Sequence, residues 1–463
     1  MTDQHLIVEH VDPTTLLVDA NIRSDAALDK DFLASIRALG VLVPIVAVRT
    51  EDSALRVRYG HRRTLAAAEV GRTSVPVIVT SDDGADEAAR IVRQWHENEH
   101  RAGLSTPDKV AAVEQLSLLG LSAAQIVKQT RARKADVEQA LATAGSALAK
   151  GAATRYEFLT LEMAGAVAEF ESAPETVKAL IAAAKASEGD FAHALQRARD
   201  EREAAAQVAA LQAELAKASV QVIERPGYDD RRTVKGLDEL VDDKAKQITP
   251  AGHASCPGHA AYIANDWRGA RIVYVCTQWP KAGHRDRYSS GGRPASAPMS
   301  EDQKQERREV IANNKAWKSA ETVRREWLRL FLLRKSAPKG AAGYLAGELA
   351  RGLWELRRGM ERGHQLAATL MGLDGKGQRD VIATATAGAT DARAVVIALG
   401  VVLGDIEEST GTHTWRNADD TVRRYLAFLA QNGYALSDVE QLAANGPRRK
   451  RRRATTNDDA AAA

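Results

Sequence analysis

The sequence predicts an α+β N-terminal module at residues 1–104, followed by an all-α helix-turn-helix domain at 105–200. A helical connector (201–250), a small module around two cysteines (251–290), a helical C-terminal domain (300–445) and a basic tail (446–463) come after it. Three observations carry this. The 463 residues exceed what one core organises and suggest modules of ~100–200 residues. Apart from the strand "RIVYVC" (271–276), strand-like and helix-like runs alternate only before residue 104. Beyond it the apolar spacing is helical, and the chain is alanine-rich with only 5% aromatics.

Taken in order, "HLIVEHV" is the first strand, and "LDKDFLASIRALG" is a helix on the spacing of Leu28, Phe32, Ile36 and Leu39, stopped by Gly40. "PIVAVRT" and "LRVRYG", split by polar "EDSA", form a hairpin. The helix "HRRTLAAAE", the strand "SVPVIVT" and a helix over 83–99 complete the module. Next, Thr106 is the expected N-cap of a helix with Pro107 at its first position. Ser122 and Gln125 fit a capping box opening a short helix, followed by a basic turn and a second helix over 134–144. The run 197–219 reads as a connector or helical arm, and 225–250 as a linker with one short helix. The amphipathic stretch 321–335 and the apolar "DARAVVIALGVVLGDIE" belong to a buried helical core. The tail "GPRRKRRRATTNDDAAAA" is low-complexity and expected to be disordered.

The bulk numbers exclude several classes. A net charge of +3 confines any nucleic-acid surface to a local patch. Two cysteines are too few for a disulfide framework and suit a reducing, cytoplasmic setting. No secretory signal and no apolar run of about 18 residues is visible, so no membrane association is expected.

The residues that carry chemistry fall in three places. In "YGHRRT", Gly60 ends a strand, and His61, Arg62 and Arg63 open a helix. A helix start carries positive partial charge, so two arginines there make sense if an anion such as phosphate docks. The bland alternative is a strand-to-helix turn with two solvated arginines. In "WHENEHRAGLSTP", Glu97 and Asn98 offer oxygen ligands suited to Mg²⁺, with Arg101 nearby; ordinary surface ion pairs are the alternative. In the helix-turn-helix, Lys128, Arg131, Arg133 and Lys134 are placed to meet DNA phosphates or guanine edges, the second helix entering the major groove. A helical hairpin with a basic turn is the alternative.

Both cysteines sit with histidines: Cys256 and His259 as C-x2-H, Cys276 and His284 as C-x7-H, sixteen residues between the pairs. Two sulfur and two imidazole ligands suit a closed, structural Zn²⁺ site, with His253 as a spare candidate. Two buried cysteines with surface histidines are the alternative.

"GVLVP" (40–44), "GHRRTLAA" (60–67) and "ENEHRAGLS" (97–105), in that order and followed by a helix-turn-helix, resemble the ParB-type partition proteins over residues 5–145. The resemblance implies CTP with Mg²⁺ in the N-terminal module: Gly40 lining the base and ribose, Gly60, His61, Arg62 and Arg63 on the triphosphate, Glu97 and Asn98 at the metal and phosphates, and Arg101 close by. Three positions depart from the family: Val43 where Gln is usual, His61 where Glu is common, and His100 where Gln is frequent at a position linked to hydrolysis. They fit a CTP-gated clamp with feeble turnover. The resemblance further implies double-stranded DNA as partner, a homodimer formed through the C-terminal helices, and a place on a bacterial nucleoid or plasmid. A ParA-type ATPase partner often docks on a short basic N-terminal peptide, and "MTDQHLIVEH" has none. "RRKRRR" (448–453) would add nonspecific DNA affinity. Two other classes stay open: an operator-binding transcriptional regulator of a plasmid, phage or integrated element, and a ParB-fold nuclease.

Overall fold

The computed structural model describes residues 7–18, 28, 30–50, 52–80, 87–101, 103–227, 229–266, 269–288, 300–373 and 380–446, and of residues 7, 80, 100, 101, 229 and 231 the backbone alone. The basic tail lies outside these residues, as do residues 5 and 6 of the first strand. The chain forms two compact units, residues 1–185 and 186–463.

The first unit begins with β1 (Ile7–Val11), α1 (Lys30–Leu39), β2 (Ile45–Arg49), β3 (Leu55–Tyr59), α2 (His61–Glu69) and β4 (Val75–Thr80). The strands form one sheet in the order β1-β4-β2-β3. β2 and β3 are the expected antiparallel hairpin, while β2 and β4 run parallel, with β3 and α2 supplying the crossover. Ile36 of α1 and Ala66 and Ala67 of α2 pack on Ile45, Ala47, Val57, Val75 and Val77, closing a sheet core. Two small residues at the contact let α2 lie close to the strands.

α3 (Glu87–Arg101) belongs to a different core. Its Ala88, Ile91 and Trp95 pack with residues of α4 (Thr106–Leu118), α5 (Ala123–Thr130) and α6 (Lys134–Ala144). Three further helices follow: α7 (Ala147–Arg155), α8 (Leu161–Ala168) and α9 (Pro174–Ala186). The Ser122–Gln125 capping box is present, and α6 spans the expected residues. One cap differs. Ser105, not Thr106, caps α4, its hydroxyl accepting from the Asp108 amide, and Thr106 is already helical. A serine followed by Thr-Pro places the cap one residue earlier, because Pro107 fits either of the first two helical positions.

The second unit opens with α10 (Glu188–Lys217), which runs for 30 residues. It is not a free connector. It buries Phe191, His193, Ala198 and Leu215 and packs against α12 (Glu301–Phe331) and the hairpin described next. The stretch expected to be a linker contributes short strands: β5 (Gln221–Val222), β6 (Lys235–Gly236) and β7 (Leu240–Val241). After α11 (Pro250–His253) come β8 (His259–Asp266), β9 (Gly269–Cys276) and β10 (Arg285–Asp286). They form a four-stranded sheet, β5-β8-β9-β6, and a ribbon, β10-β7. Two-residue strands lack the alternation that marks a strand in sequence, so they escape detection.

The remaining helices are α13 (Ala341–Ala350), α14 (Trp354–Arg362), α15 (Gln365–Leu370), α16 (Val381–Ala387), α17 (Asp391–Ser409), α18 (Asp420–Gln431) and α19 (Asp438–Asn445). The apolar α17 is buried, as expected, among Leu328, Phe331 and Leu332 of the amphipathic stretch and Tyr425 and Leu429. A Cβ at Gly404 would lie 2.7 Å from Ala367 Cα, so α15 and α17 touch at a glycine. Among the described residues no helix is long and apolar enough to cross a membrane.

Candidate functional sites

Gly60 is where the sheet hands over to α2. Its φ of +99° is left-handed, which glycine adopts without a Cβ penalty. Gly60 is the helix N-cap, has no side-chain capping bond, and the first turn carries no acid. That leaves the amide end of the helix uncovered by any side chain of its own. Arg62 is exposed, its guanidinium 4.4 Å from the centre of the Phe32 ring on α1. Arg63 turns the other way. It donates to the carbonyls of Val43 and Pro44, the latter at 3.0 Å. The structure thus joins "GVLVP" to "GHRR" through one guanidinium. His61 is buried at 7% exposure, so its ring faces inward and only its backbone stands at the helix start.

Gly40 has a φ of +74° and terminates α1. Arg72, which sequence reasoning missed, secures that end: it donates to Ile36 O at 2.9 and 3.1 Å and to Arg37 O at 2.7 Å. The loop beyond Gly40 exposes Leu42 (75%) and Val43 (62%) at a place held from both sides by arginines.

Glu97 and Asn98 lie near the end of α3, Glu97 exposed and Asn98 half-buried. His100 and Arg101 are helical, but their side chains lie outside the described residues. Glu99 pairs with Lys109 at 3.5 Å and accepts from the Leu104 amide at 3.3 Å. His96, another residue the sequence did not single out, reaches the Gln129 carbonyl at the end of α5 at 2.9 Å. The "ENEHR" helix is therefore tied to the helix-turn-helix, while "GVLVP" and "GHRR" belong to the sheet.

In the helix-turn-helix, Lys128, Arg131, Arg133 and Lys134 are all exposed. Arg131 takes the left-handed position of the turn at φ +56°. Thr130 braces it from inside, donating to Ile126 O at 2.7 Å and accepting from the Ala132 amide at 3.3 Å. Arg133 is the N-cap residue of α6 and forms a forked pair with Asp136, at 2.7 and 3.0 Å. That pair raises the Arg133 guanidinium above its ordinary range. Lys134 pairs with Glu138 at 3.5 Å.

In the second unit, ligand atoms of His253, Cys256, Cys276 and His284 lie within 4.8 Å of one another, a group able to hold a metal ion. His253 takes the place expected for His259, which stands just outside, its Nδ1 3.0 Å from Nδ1 of His253. Burial and the two neighbouring imidazoles push His253 down to about 4, and burial pushes the Cys276 thiol up to about 11.

Residues 5–94 match the family model of the ParB N-terminal domain. A probable chromosome-partitioning protein ParB of Treponema pallidum (strain Nichols) is 28% identical over 138 residues, 29% of this chain and 42% of the relative's length. The C-terminally truncated ParB of Caulobacter crescentus complexed to the centromeric parS site is 19% identical, covers 37% of this chain and 91% of its own, and superposes with a TM-score of 0.28. The same protein complexed with CTP-gamma-S is 21% identical over 37% of this chain and 97% of its own, with a TM-score of 0.17. The sheet, its uncapped α2 and the motifs "GVLVP" and "GHRRTLAA" fall inside the matched residues, and residues 5–94 of this chain are similar to a ParB N-terminal domain.

Proposed function

We propose that this protein is a partition-type DNA-binding protein whose N-terminal domain binds CTP with Mg²⁺, and whose helix-turn-helix reads a double-stranded DNA site. The observation that carries the reading is the union of "GVLVP" and "GHRR" by Arg63 beside an α2 terminus with no side-chain cap. Backbone amides at such a terminus suit phosphate oxygens, and Gly60 has no side chain to block their approach. Exposed Arg62 adds a forked charge. Arg63 acts differently: it fixes the loop that would border the base and ribose beside Gly40.

The metal donors fit as well. Glu97 and Asn98, adjacent near the end of α3, would hold Mg²⁺ and meet the phosphates. The metal would neutralise phosphate charge; the protein's part is to present oxygens from α3. Because α3 is packed on the DNA-binding core, a nucleotide reaching both α2 and α3 binds one arrangement of the two cores better than others. That differential affinity is what gating requires. A dimer would turn the same rearrangement into a clamp on DNA. His61, buried, and His100, in place of the glutamine linked to hydrolysis, leave slow or no turnover.

Two variants test the division of labour. Arg62→Ala should weaken CTP binding roughly 10- to 100-fold, the worth of a charge-assisted contact of ~1.5–3 kcal/mol, while single-site DNA affinity holds within about twofold. Arg133→Ala should do the reverse and flatten the salt dependence of DNA binding by about one unit of slope. Equal loss of both activities in Arg62→Ala would refute the assignment.

A further inference from the structure

We propose that His253, Cys256, Cys276 and His284 hold one structural zinc ion, and that His259 orients the first of them. In a tetrahedral site with Zn–N near 2.0–2.1 Å and Zn–S near 2.3 Å, ligand atoms stand about 3.3 Å apart for N–N and about 3.6 Å for N–S. Here His253 Nε2 is 3.1 Å from His284 Nε2, and Cys256 Sγ is 3.7 Å from the same nitrogen. Cys276 Sγ completes the group. These two edges match those of a zinc tetrahedron, and all four ligand atoms lie within 4.8 Å of one another. All four positions are protein ligands, so no site is left for a reacting water, and the ion is structural.

His253 and His259 stand symmetrically about Cys256, three residues on either side, and the fold decides between them. His253 ends α11 and turns Nε2 toward the group. Its other nitrogen meets His259 Nδ1. A neutral His253 with hydrogen on Nδ1 donates there and leaves Nε2 free as a ligand, the role that outer partners of metal-bound histidines play. His259 in turn stacks on Tyr274, with ring centres 5.8 Å apart.

The surroundings need such a staple. The four ligands come from α11, the turn into β8, the end of β9 and the residue before β10, so one ion ties the β8–β9 hairpin to the β7–β10 ribbon. Among the described residues, the local apolar cluster buries Leu237, Leu240 and Cys276, with Ile248, Tyr274 and Trp279 partly buried against them. A core that small does not hold two sheets together alone. The turn is also built around the thiol: a Cβ at Gly258 would fall 2.8 Å from Cys276 Sγ.

The test is elemental analysis of the full chain, purified without a chelating column. One zinc per chain is expected, lost in Cys256→Ser, Cys276→Ser and His253→Ala. His259→Ala should keep the ion but release it to a chelator ~10–100-fold more readily. Replacement of the ion by Co²⁺ in the unmutated protein covers variants that fail to fold. Intense visible bands of a tetrahedral ion, with thiolate-to-cobalt charge transfer, are expected. A folded, zinc-free protein that takes up no supplied zinc, a Co²⁺ spectrum without thiolate bands, or full zinc retention in folded Cys276→Ser would each overturn the assignment.

Discussion

Arg63 shows how far a residue's role can lie from what its type suggests. Two adjacent arginines at a helix start read as a pair of phosphate donors. Only Arg62 is exposed, and Arg63 spends donors on the carbonyls of Val43 and Pro44. The sequence could mark the place but not divide the labour, since that depends on a loop twenty residues away. His253 and His259 make the same point: spacing from Cys256 is identical, and only the path of the chain separates ligand from support. Arg324 was invisible in the sequence altogether. It is fully buried and bonds Glu407 at 2.7 and 3.1 Å and Glu440 at 2.6 Å. The hydroxyls of Tyr425 and Tyr434 donate to the same carboxylates, each at 2.9 Å. Removing the cation leaves Glu440 without this arginine and Glu407 paired with Arg325 at 3.2 Å. Arg324→Ala should therefore cost about 3–5 kcal/mol in urea unfolding; a change below about 1 kcal/mol would show that water or a neighbouring base takes over.

At the scale of elements, local chemistry was readable wherever it is local. The capping box of α5 and the limits of α6 follow from Ser122, Gln125 and the basic turn, because each partner lies within three residues of the other. What packs on what was not readable. α3 has the amphipathic pattern of a helix covering the sheet, yet Ile91 and Trp95 face the helix-turn-helix core. His96 strengthens that attachment through the end of α5. The turn between α5 and α6 gives a sharper test. Arg131 holds a left-handed backbone position that costs a non-glycine residue ~1–2 kcal/mol. Arg131→Gly should raise thermal stability, by up to about 1 kcal/mol after glycine's own entropy cost, and at the same time weaken DNA binding. Such a trade shows a residue kept for its charge. Unchanged DNA affinity would return Arg131 to the surface.

Across the whole molecule, the order of structural types agrees with the sequence: a sheet module, a helical middle, a small sheet region with the Cys/His cluster and a helical C-terminal part. The short strands around the metal cluster did not register, because two-residue strands carry no pattern. In the first unit, the two halves of the candidate nucleotide site ride on separate cores. Gly40, Gly60, Arg62 and Arg63 are on the sheet side; Glu97 and Asn98 are on the helix packed with the helix-turn-helix. The proposed nucleotide gating would act on this arrangement, and that proposal stands or falls on whether a nucleotide binds. The deciding measurement is calorimetric titration of the purified full chain with CTP, ATP and GTP in Mg²⁺, with and without DNA from its own locus. Selective CTP binding is the predicted result. Binding of none of the three under either condition would contradict the account, reduce residues 5–94 to a scaffold, and leave an operator-binding regulator in its place.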